Sequence, residues 1–577
     1  MKKLPIGISD YKTIIEENYY YIDKTLFIKE ILDEAKAIIL LPRPRRFGKT
    51  LNLSMLQYFF EKSQENNQHL FTDKAIWQHE KCRTYQGQYP VIFLTLKDVK
   101  QETWGSAYKK LEIIIAREFE RHAYLLDTGI TERAQKEFKE VLEKKADEET
   151  LSQSLYFLSE LLYKHYKKRV YIFIDEYDMP ITTSYGYDYY KNMIVFMRSL
   201  LGTALKDNKF LERGILTGIL RIAKESIFSG MNNFKVCSLL DRPFQDKFGF
   251  TPQEVKHLLV DQRLTSKAKE IQAWYNGYTF GTTTIYNPWS IIFCVDERGL
   301  FKPYWLNTSD NELIKKLLAL SSEDMKFDLE QLMVGKSITK EIDDAIVFPG
   351  IENNDNALWA LLLFSGYLTS TTYQLIDGKN ICNLAIPNRE LKIVYTDFVK
   401  EVFRSSLTQN KINALLKALV QGDSSLFARL LQDFITKSMS MFDFSSDEPE
   451  KSYHLFILGL LVYLSDTHEL KSNRESGYGR YDIMIIPRTQ PSHPASAQGY
   501  GGRSKVSAGV ASNALGIIIE FKKTEPKETL AKAAERALEQ IKEREYISEF
   551  HERGIKKIQL LGIACKGKKI LVKADDL

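Results

Sequence analysis

Ala37-Ile38-Ile39-Leu40-Leu41-Pro42-Arg43-Pro44-Arg45-Arg46-Phe47-Gly48-Lys49-Thr50 passes from a wholly apolar run into a basic turn that ends in Gly-Lys-Thr. Apolar residues without alternation predict a strand covered on both faces, as in a parallel sheet. Leu51, Met55, Tyr58 and Phe59 then recur at helical spacing. In a strand-loop-helix unit of this kind, Gly48 lets the backbone approach a phosphate. Lys49 can then reach the β and γ phosphates of a nucleotide, and Thr50 can ligate Mg2+. The first glycine of the generic phosphate-loop pattern is replaced by Arg43. The residues alone therefore read either as a phosphate-binding loop, with Arg46 and Gly48 beside the ligand, or as a basic strand-to-helix turn.

Working outward, Val91-Ile92-Phe93-Leu94, Val170-Tyr171-Ile172-Phe173-Ile174 and Gly214-Ile215-Leu216-Thr217-Gly218-Ile219 are three further apolar runs. Leu151, Leu155, Leu158 and Leu162 mark one face of a helix before the second of them. The alternation predicts an α/β, P-loop NTPase-like three-layer domain over residues 1–295. Asp175-Glu176 ends a strand, where an acid beside a phosphate loop holds Mg2+ and the next acid polarises the attacking water. The other reading is that acids often close buried strands at the solvent edge. Thr217 offers a polar contact near the phosphates. Arg221 either compensates charge on the transferring group or is an ordinary salt-bridged arginine.

The chain has 577 residues, 44% of them hydrophobic and 27% charged, which predicts several domains of a soluble protein. A net charge of +5 excludes a globally basic nucleic-acid binder, so any such surface must be local. Five scattered cysteines without a CxxC pair argue against a disulfide framework or zinc site, and for a reducing cytoplasm. The start, Met1-Lys2-Lys3-Leu4-Pro5, lacks a signal-peptide apolar run, and Leu455 to Leu464 is too short to span a bilayer, so no membrane partner is expected. That run reads as a buried helix. Residues 296–440 read as a helical linking region, with helical patterns at Leu313 to Leu320, Leu358 to Leu368 and Ile412 to Ile435.

From 441 to 577 the pattern becomes helix, strand, strand, helix, strand. Gly516-Ile517-Ile518-Ile519-Glu520-Phe521-Lys522 is a β-branched strand carrying an acid and, two residues on, an ammonium on the same face. Tyr481-Asp482-Ile483-Met484-Ile485-Ile486 carries a second acid. Asp482, Glu520 and the Phe521 carbonyl make a ligand set for Mg2+, with Lys522 placed to orient a water. Glu450 and His454 share a face one helical turn apart, and Gln540 lies on the following helix beside the apolar Ile541. The bland alternatives are a cross-strand ion pair, a partly buried histidine and a polar residue at the edge of an amphipathic face. Residues 487–513, rich in Ser, Gly, Ala and Pro, predict a mobile insertion.

The order helix, strand with Asp482, strand with Glu520-Phe521-Lys522, helix with Gln540, strand resembles the PD-(D/E)XK nuclease superfamily and its restriction-endonuclease-like α/β fold. The whole chain resembles a prokaryotic family that joins an AAA-ATPase-like domain to such a nuclease domain. Tyr21-Ile22-Asp23-Lys24-Thr25, Arg43 to Thr50, Ile174 to Asp178, Leu216 to Arg221, Trp274 to Tyr278, Tyr286-Asn287-Pro288 and Gly479-Arg480-Tyr481-Asp482 carry the likeness. The arginine-bearing phosphate loop is usual in that family. The resemblance implies ATP bound by Lys49, Thr50 and Asp175 and hydrolysed with Glu176. It also implies nucleic acid, taken as DNA, cut at Asp482, Glu520 and Lys522. A homo-oligomer is a further expectation, since AAA-like domains often form rings. The alternative is a non-catalytic, nucleotide-dependent binding or interaction module with a degenerate nuclease site. Two features depart from the pattern. The insertion after Asp482 is longer than such connections need, and Arg544 stands where some DNA-cleaving relatives have a tyrosine.

Overall fold

The apolar run after Ala37 forms strand β1, Ile38–Pro42, buried along its whole length. The computed structural model describes residues 2–222, 234–305, 323–333, 335–346, 351, 354–395, 409–438, 461, 464, 467–476, 479–488, 515–525, 527–543, 547–566 and 569–577. By its internal contacts the chain divides into two units, Met1–Leu317 with Ser337–Leu391, and Leu318–Lys336 with Lys392–Leu577.

The first unit is built on a parallel sheet. Its other strands are β2 (Val91–Thr95), β3 (Val170–Asp175), β4 (Leu211–Gly218) and, after the two-residue β5 (Arg221–Ile222), β6 (Phe234–Val236). They lie in the order β2-β3-β4-β1-β6, every neighbour parallel. Parallel neighbours need crossovers, and helices provide them. Helix α1 (Lys49–Phe60) follows β1, α2 (Glu148–Tyr166) precedes β3, and α3 (Tyr190–Leu205) joins β3 to β4. Helix α2 starts where the Asp147 side chain accepts the Thr150 N–H, with Glu148 and Glu149 in the first turn, as the helix dipole favours. Leu151, Leu155, Leu158 and Leu162 are all buried. Because β4 lies between β1 and β3, the register pairs Leu41 with Thr217 and Leu216 with Ile174. The loop after β1, Thr217 and Asp175 therefore meet at one edge of the sheet.

The same unit contains a hairpin, β7 (Tyr278–Phe280) and β8 (Thr283–Ile285), followed by α4 (Pro288–Asp296). Asn287 caps α4 by accepting the N–H groups of Trp289 and Ser290. Gly277, at φ 121°, has a specific reason to be glycine: a Cβ there would lie 1.9 Å from the Pro387 carbonyl oxygen. That contact ties the Trp274 to Tyr278 motif to the segment beyond a small antiparallel sheet.

That sheet lies within the stretch expected to be a helical linking region. Its strands are β9 (Ile338–Glu341), β11 (Thr369–Ile376) and β12 (Lys379–Ala385), in the order β11-β12-β9. Between β9 and β11 are the two-residue β10 (Ala345–Ile346), which pairs with β5, and helix α5 (Asp355–Ser365). The predicted helix over Leu358 to Leu368 stops at Ser365 because Gly366 takes a left-handed conformation and its N–H closes on Leu362 and Leu363. Strand β11 exposes most of its residues, so no apolar alternation marked it in the sequence. Residues 296–440 are shared between the units rather than forming one linking region, and Leu313 to Leu320 lies outside the described residues.

In the second unit the Ile412 to Ile435 pattern forms two helices, α6 (Gln409–Val420) and α7 (Ser424–Ser438), divided at Gly422 with φ 80°. A mixed sheet follows: β13 (His468–Ser476), β14 (Gly479–Pro487), β15 (Leu515–Lys523), then helix α8 (Leu530–Glu543), β16 (Lys557–Lys566) and β17 (Lys569–Asp576). Strand order is sequential, with β15 and β16 parallel and the other neighbours antiparallel. Alternation sorts the side chains. Ile483, Ile485, Ile517, Ile519 and Phe521 join the core with Leu415, Leu419, Phe427 and Leu431 of α6 and α7. Met484, Ile486 and Ile518 face Leu538 and Ile541 of α8. Asp482, Glu520 and Lys522 have the parity of the α8 face. The predicted mobile insertion falls almost wholly outside the described residues, as do most of Leu455 to Leu464 and all of Arg544.

Helix α8 sits close on the sheet because its contact residues are small: Ala533, Ala534 and Ala537 are buried. A Cβ on Gly562 of β16 would lie 2.3 Å from the Ala534 carbonyl oxygen. Gly562→Val is expected to destabilise the second unit by about 1–3 kcal/mol, as overpacking does, read from its urea unfolding midpoint.

Candidate functional site

Residues 43–48 bridge the end of β1 and the start of α1. Two of them are left-handed, Arg46 at φ 68° and Gly48 at φ 84°. Arg43, which replaces the first glycine of the generic pattern, points into the protein. It is wholly buried, and its Nη1 donates to the carbonyls of Pro42 and Cys237, both at 2.7 Å. Its guanidinium lies 5.1 Å from the Phe248 ring and 5.5 Å from that of Phe280. Burial pulls its pKa down to about 10. The residue that breaks the generic pattern thus bolts the loop to the strand beyond it.

Lys49 is buried, and its Nζ donates to the loop carbonyls of Arg43 (3.1 Å) and Pro44 (3.0 Å). Burial lowers its pKa, while Glu176, Asp175 and Asp178 oppose that shift. Asp175, also wholly buried, accepts hydroxyl hydrogens from Thr50 and Thr217, each at 2.6 Å. Glu176 follows in a left-handed conformation, φ 53°, rare for a residue with a Cβ. Lys49, Thr50, Asp175 and Thr217 are brought together as expected. Arg221 is not brought to them by any contact: its Nη1 donates to Asp344 at 2.9 Å.

A cavity of about 460 Å³ opens beside this loop, within the range of small-molecule sites. Arg45, Arg46, Gly48, Lys49, Thr50 and Glu176 are among the residues that line it. Its lining also includes the apolar Leu4, Ile6, Ile8, Leu258, Trp289 and Phe293. Sequence reading missed the segment 4–9 and Trp289. The adjoining Tyr286-Asn287-Pro288 was visible only as a likeness, since a capping turn carries no chemistry of its own.

Asp178 was also missed as a site organiser. Its Oδ2 accepts the N–H groups of Ile219 (2.9 Å) and Leu220 (2.8 Å), and Tyr177 Oη donates to Leu220 O at 2.8 Å. Any Cβ on Gly218 would lie 2.5 Å from the Asp178 carboxylate. The two motifs around Asp175 and Thr217 are thus one interlocked turn.

In the second unit the register Ile483 to Ile519 sets Asp482 opposite Glu520. Glu520 is 2% exposed. Its Oε2 accepts the Asp482 N–H at 3.3 Å, and Asp482 Oδ2 accepts the Phe521 N–H at 2.8 Å. Lys522 Nζ lies 3.2 Å from Glu520 Oε1, and Gln540 Nε2 donates to the same oxygen. Four of the expected residues therefore converge. Glu450 and His454 lie outside the described residues. Burial first, and Asp482 second, push the Glu520 carboxyl up to about 8, with Lys522 pulling the other way. Two facing acids, one of them buried, are relieved by a cation. The oxygen-only set of Asp482, Glu520 and the Phe521 carbonyl fits a hard one that keeps several waters. Among the described residues no group of three His, Cys, Asp or Glu gathers for a metal.

The basic residues divide by register. Lys523 pairs with Cys565 and Lys566 with Lys569, at the Glu520 end of the sheet. Lys557 pairs with Leu515 at the opposite end, with Lys556 before it.

Burial, opposed by the two N–H donors, raises the Asp178 carboxyl from 3.8 to about 6. A raised folded pKa gives stability that is fully present below 3.8 and lost as pH rises through 6. Asp178→Asn removes that dependence. Its melting temperature relative to wild type is expected to rise between pH 5 and pH 8, by an amount worth about 1.4 kcal/mol, read by calorimetry at both pH values.

Residues 5–228 match the family model described as "Predicted AAA-ATPase". Residues 505–575 match a model of the PD-(D/E)XK nuclease superfamily, which spans Glu520, Lys522 and Gln540 and begins after Asp482. Over 580 aligned residues the chain is 25% identical to a protein of Azotobacter chroococcum mcd 1, designated "Uncharacterized protein in vnfD 5'region". The alignment covers 97% of this chain and 96% of that relative. The chain thus joins an AAA-ATPase-like domain to a domain of the PD-(D/E)XK nuclease superfamily.

Proposed function

We propose that this protein hydrolyses ATP in its first unit and cuts nucleic acid, namely DNA, in its second. The observation that carries the reading is the convergence of Asp482, Lys522 and Gln540 on the buried Glu520 carboxylate. A structural ion pair does not need a second acid facing the first or an amide directed at the same oxygen. In the first unit, support comes from the Asp175 carboxylate held by Thr50 and Thr217. The cavity there is lined by both cationic and apolar residues, as a site for a nucleotide's phosphates and base requires.

The roles follow from position. Thr50 and Asp175 would hold Mg2+ in the first unit, and Asp482, Glu520 and the Phe521 carbonyl would hold it in the second. Bound there, Mg2+ supplies charge neutralisation at phosphate oxygens and activation of water. Lys49 leaves its loop carbonyls for the β and γ phosphates. Glu176 takes the proton of the attacking water. Lys522 orients the nucleophile at the scissile phosphate, and Gln540 fixes the Glu520 rotamer. Lys523, Lys566 and Lys569 are placed to follow the phosphate backbone. Five free, buried cysteines support a reducing, cytoplasmic setting. Among the described residues, no helix is long and apolar enough to cross a membrane.

The small donor set among the described residues favours, as a second reading, a nucleotide-dependent binding module without cleavage. Plasmid nicking with Mg2+ separates the two. Wild type is expected to nick, and Glu520→Ala and Lys522→Ala to lose about 10²-fold or more of the rate. Equal nicking by all three sinks the nuclease reading. In parallel, Lys49→Ala is expected to abolish phosphate release from ATP. Release unchanged by that substitution would remove the ATPase reading.

A further inference from the structure

Among the cations that line the cavity beside the phosphate loop and have no role so far is Arg46, held against an aromatic ring. Arg46 sits at the turn of the loop in a left-handed conformation, φ 68°. Its guanidinium lies 4.1 Å from the centroid of the Trp289 ring. Trp289 is on the first turn of α4, whose start is fixed by the Asn287 cap. The indole is itself packed against Phe293, centroids 4.6 Å apart. Ser290, the next residue, donates to the buried Glu390 at 2.7 Å, so this turn of α4 is anchored on both sides. Arg46, Lys49, Glu176 and Trp289 all line the same cavity, and the Glu176 carboxylate acts electrostatically on both cations. Arg221, the other arginine expected at the phosphates, is paired with Asp344.

We infer that Arg46 is the catalytic arginine of nucleotide hydrolysis, supplied by the phosphate loop itself, and that Trp289 is its positioning residue. The inference rests on the ATPase reading. A guanidinium stacked on an indole keeps its in-plane N–H groups available as a fork, and tryptophan is the strongest ring for holding a cation. In the step concerned, a bond forms between the water oxygen and the γ-phosphorus. The bond from that phosphorus to the β–γ bridging oxygen breaks, and its electron pair leaves with the nucleoside diphosphate. The water proton passes to Glu176. Negative charge spreads over the γ oxygens and the bridging oxygen, where two N–H donors of Arg46 oppose it. Trp289 acts only through Arg46, by holding a long side chain over the loop in the geometry that this charge requires.

The test is steady-state phosphate release from ATP with Mg2+, using the full-length chain, together with titration of a fluorescent ATP analogue. Arg46→Ala is expected to lower kcat by about 10³-fold while analogue affinity stays within a few-fold, as for an arginine that acts in the transition state. Trp289→Leu is expected to lower kcat about tenfold with KM unchanged, and Trp289→Phe to restore most of it, since a phenyl ring still holds a cation. In the Arg46→Ala background, Trp289→Leu should cost nothing more. Turnover per chain should not change with protein concentration, because the arginine comes from the same chain. Full turnover by Arg46→Ala, an equal loss confined to nucleotide affinity, additive losses in the double variant, or turnover that rises with concentration would each overturn the assignment. If wild type releases no more phosphate than Lys49→Ala, the ATPase reading falls and takes this one with it. If wild type is active and Arg46→Ala matches it, only the Arg46 assignment falls.

Discussion

Asp175 is a wholly buried carboxylate at the carboxyl end of β3, and the geometry of the first unit is organised around satisfying it. Burying an acid without partners is costly. Here the partners come from elements far apart in sequence: Thr50 from the first turn of α1 and Thr217 from β4. Thr217 reaches Asp175 because β4 is inserted between β1 and β3. The same insertion brings the β4–β5 turn over Asp178 and Tyr177, whose polar atoms hold it by backbone contacts. Loop, strand end and turn are therefore one cooperative assembly. Moving any of them would leave a buried polar group without its partner.

The second unit meets a comparable constraint in a different way. Alternation along β14 and β15 sends the apolar residues of one parity to α6 and α7 and those of the other to α8. Asp482, Glu520 and Lys522 continue the α8-facing parity past the end of the apolar run. Glu520 is thus enclosed by the packing that builds the core, and Gln540 on α8 meets it where the helix sits low over Gly562. Close approach of α8 through small residues is what makes this site compact. Burial in this compact site, with Asp482 opposite, raises the Glu520 carboxyl.

Much of this was legible in the chain. The apolar runs at 37–41, 91–94, 170–174 and 214–219 formed the parallel strands where expected, because a strand buried on both faces needs no partner to be recognised. The small sheet of β9, β11 and β12 was not legible, since β11 is largely exposed and its pattern resembles that of a loop. Arg43 looked like a defect in a phosphate loop and is instead a buried anchor. Nothing local indicates that the Cys237 carbonyl will be its acceptor, 194 residues away.

The sequence by itself determined which residues carry chemistry and which of them share a face. Period-two alternation aligns Glu520 with Lys522 whatever the rest of the protein does, and Gly48 permits its left-handed turn because it has no Cβ. Only the tertiary structure decided which of these groups meet. The strand order set Thr217 against Asp175, the pairing of β5 with β10 accompanies the contact of Arg221 with Asp344, and the Asn287 cap turned Trp289 under Arg46. These are contacts between residues tens to hundreds of positions apart. They follow from how buried polar and apolar surfaces are jointly satisfied, which local propensity does not encode.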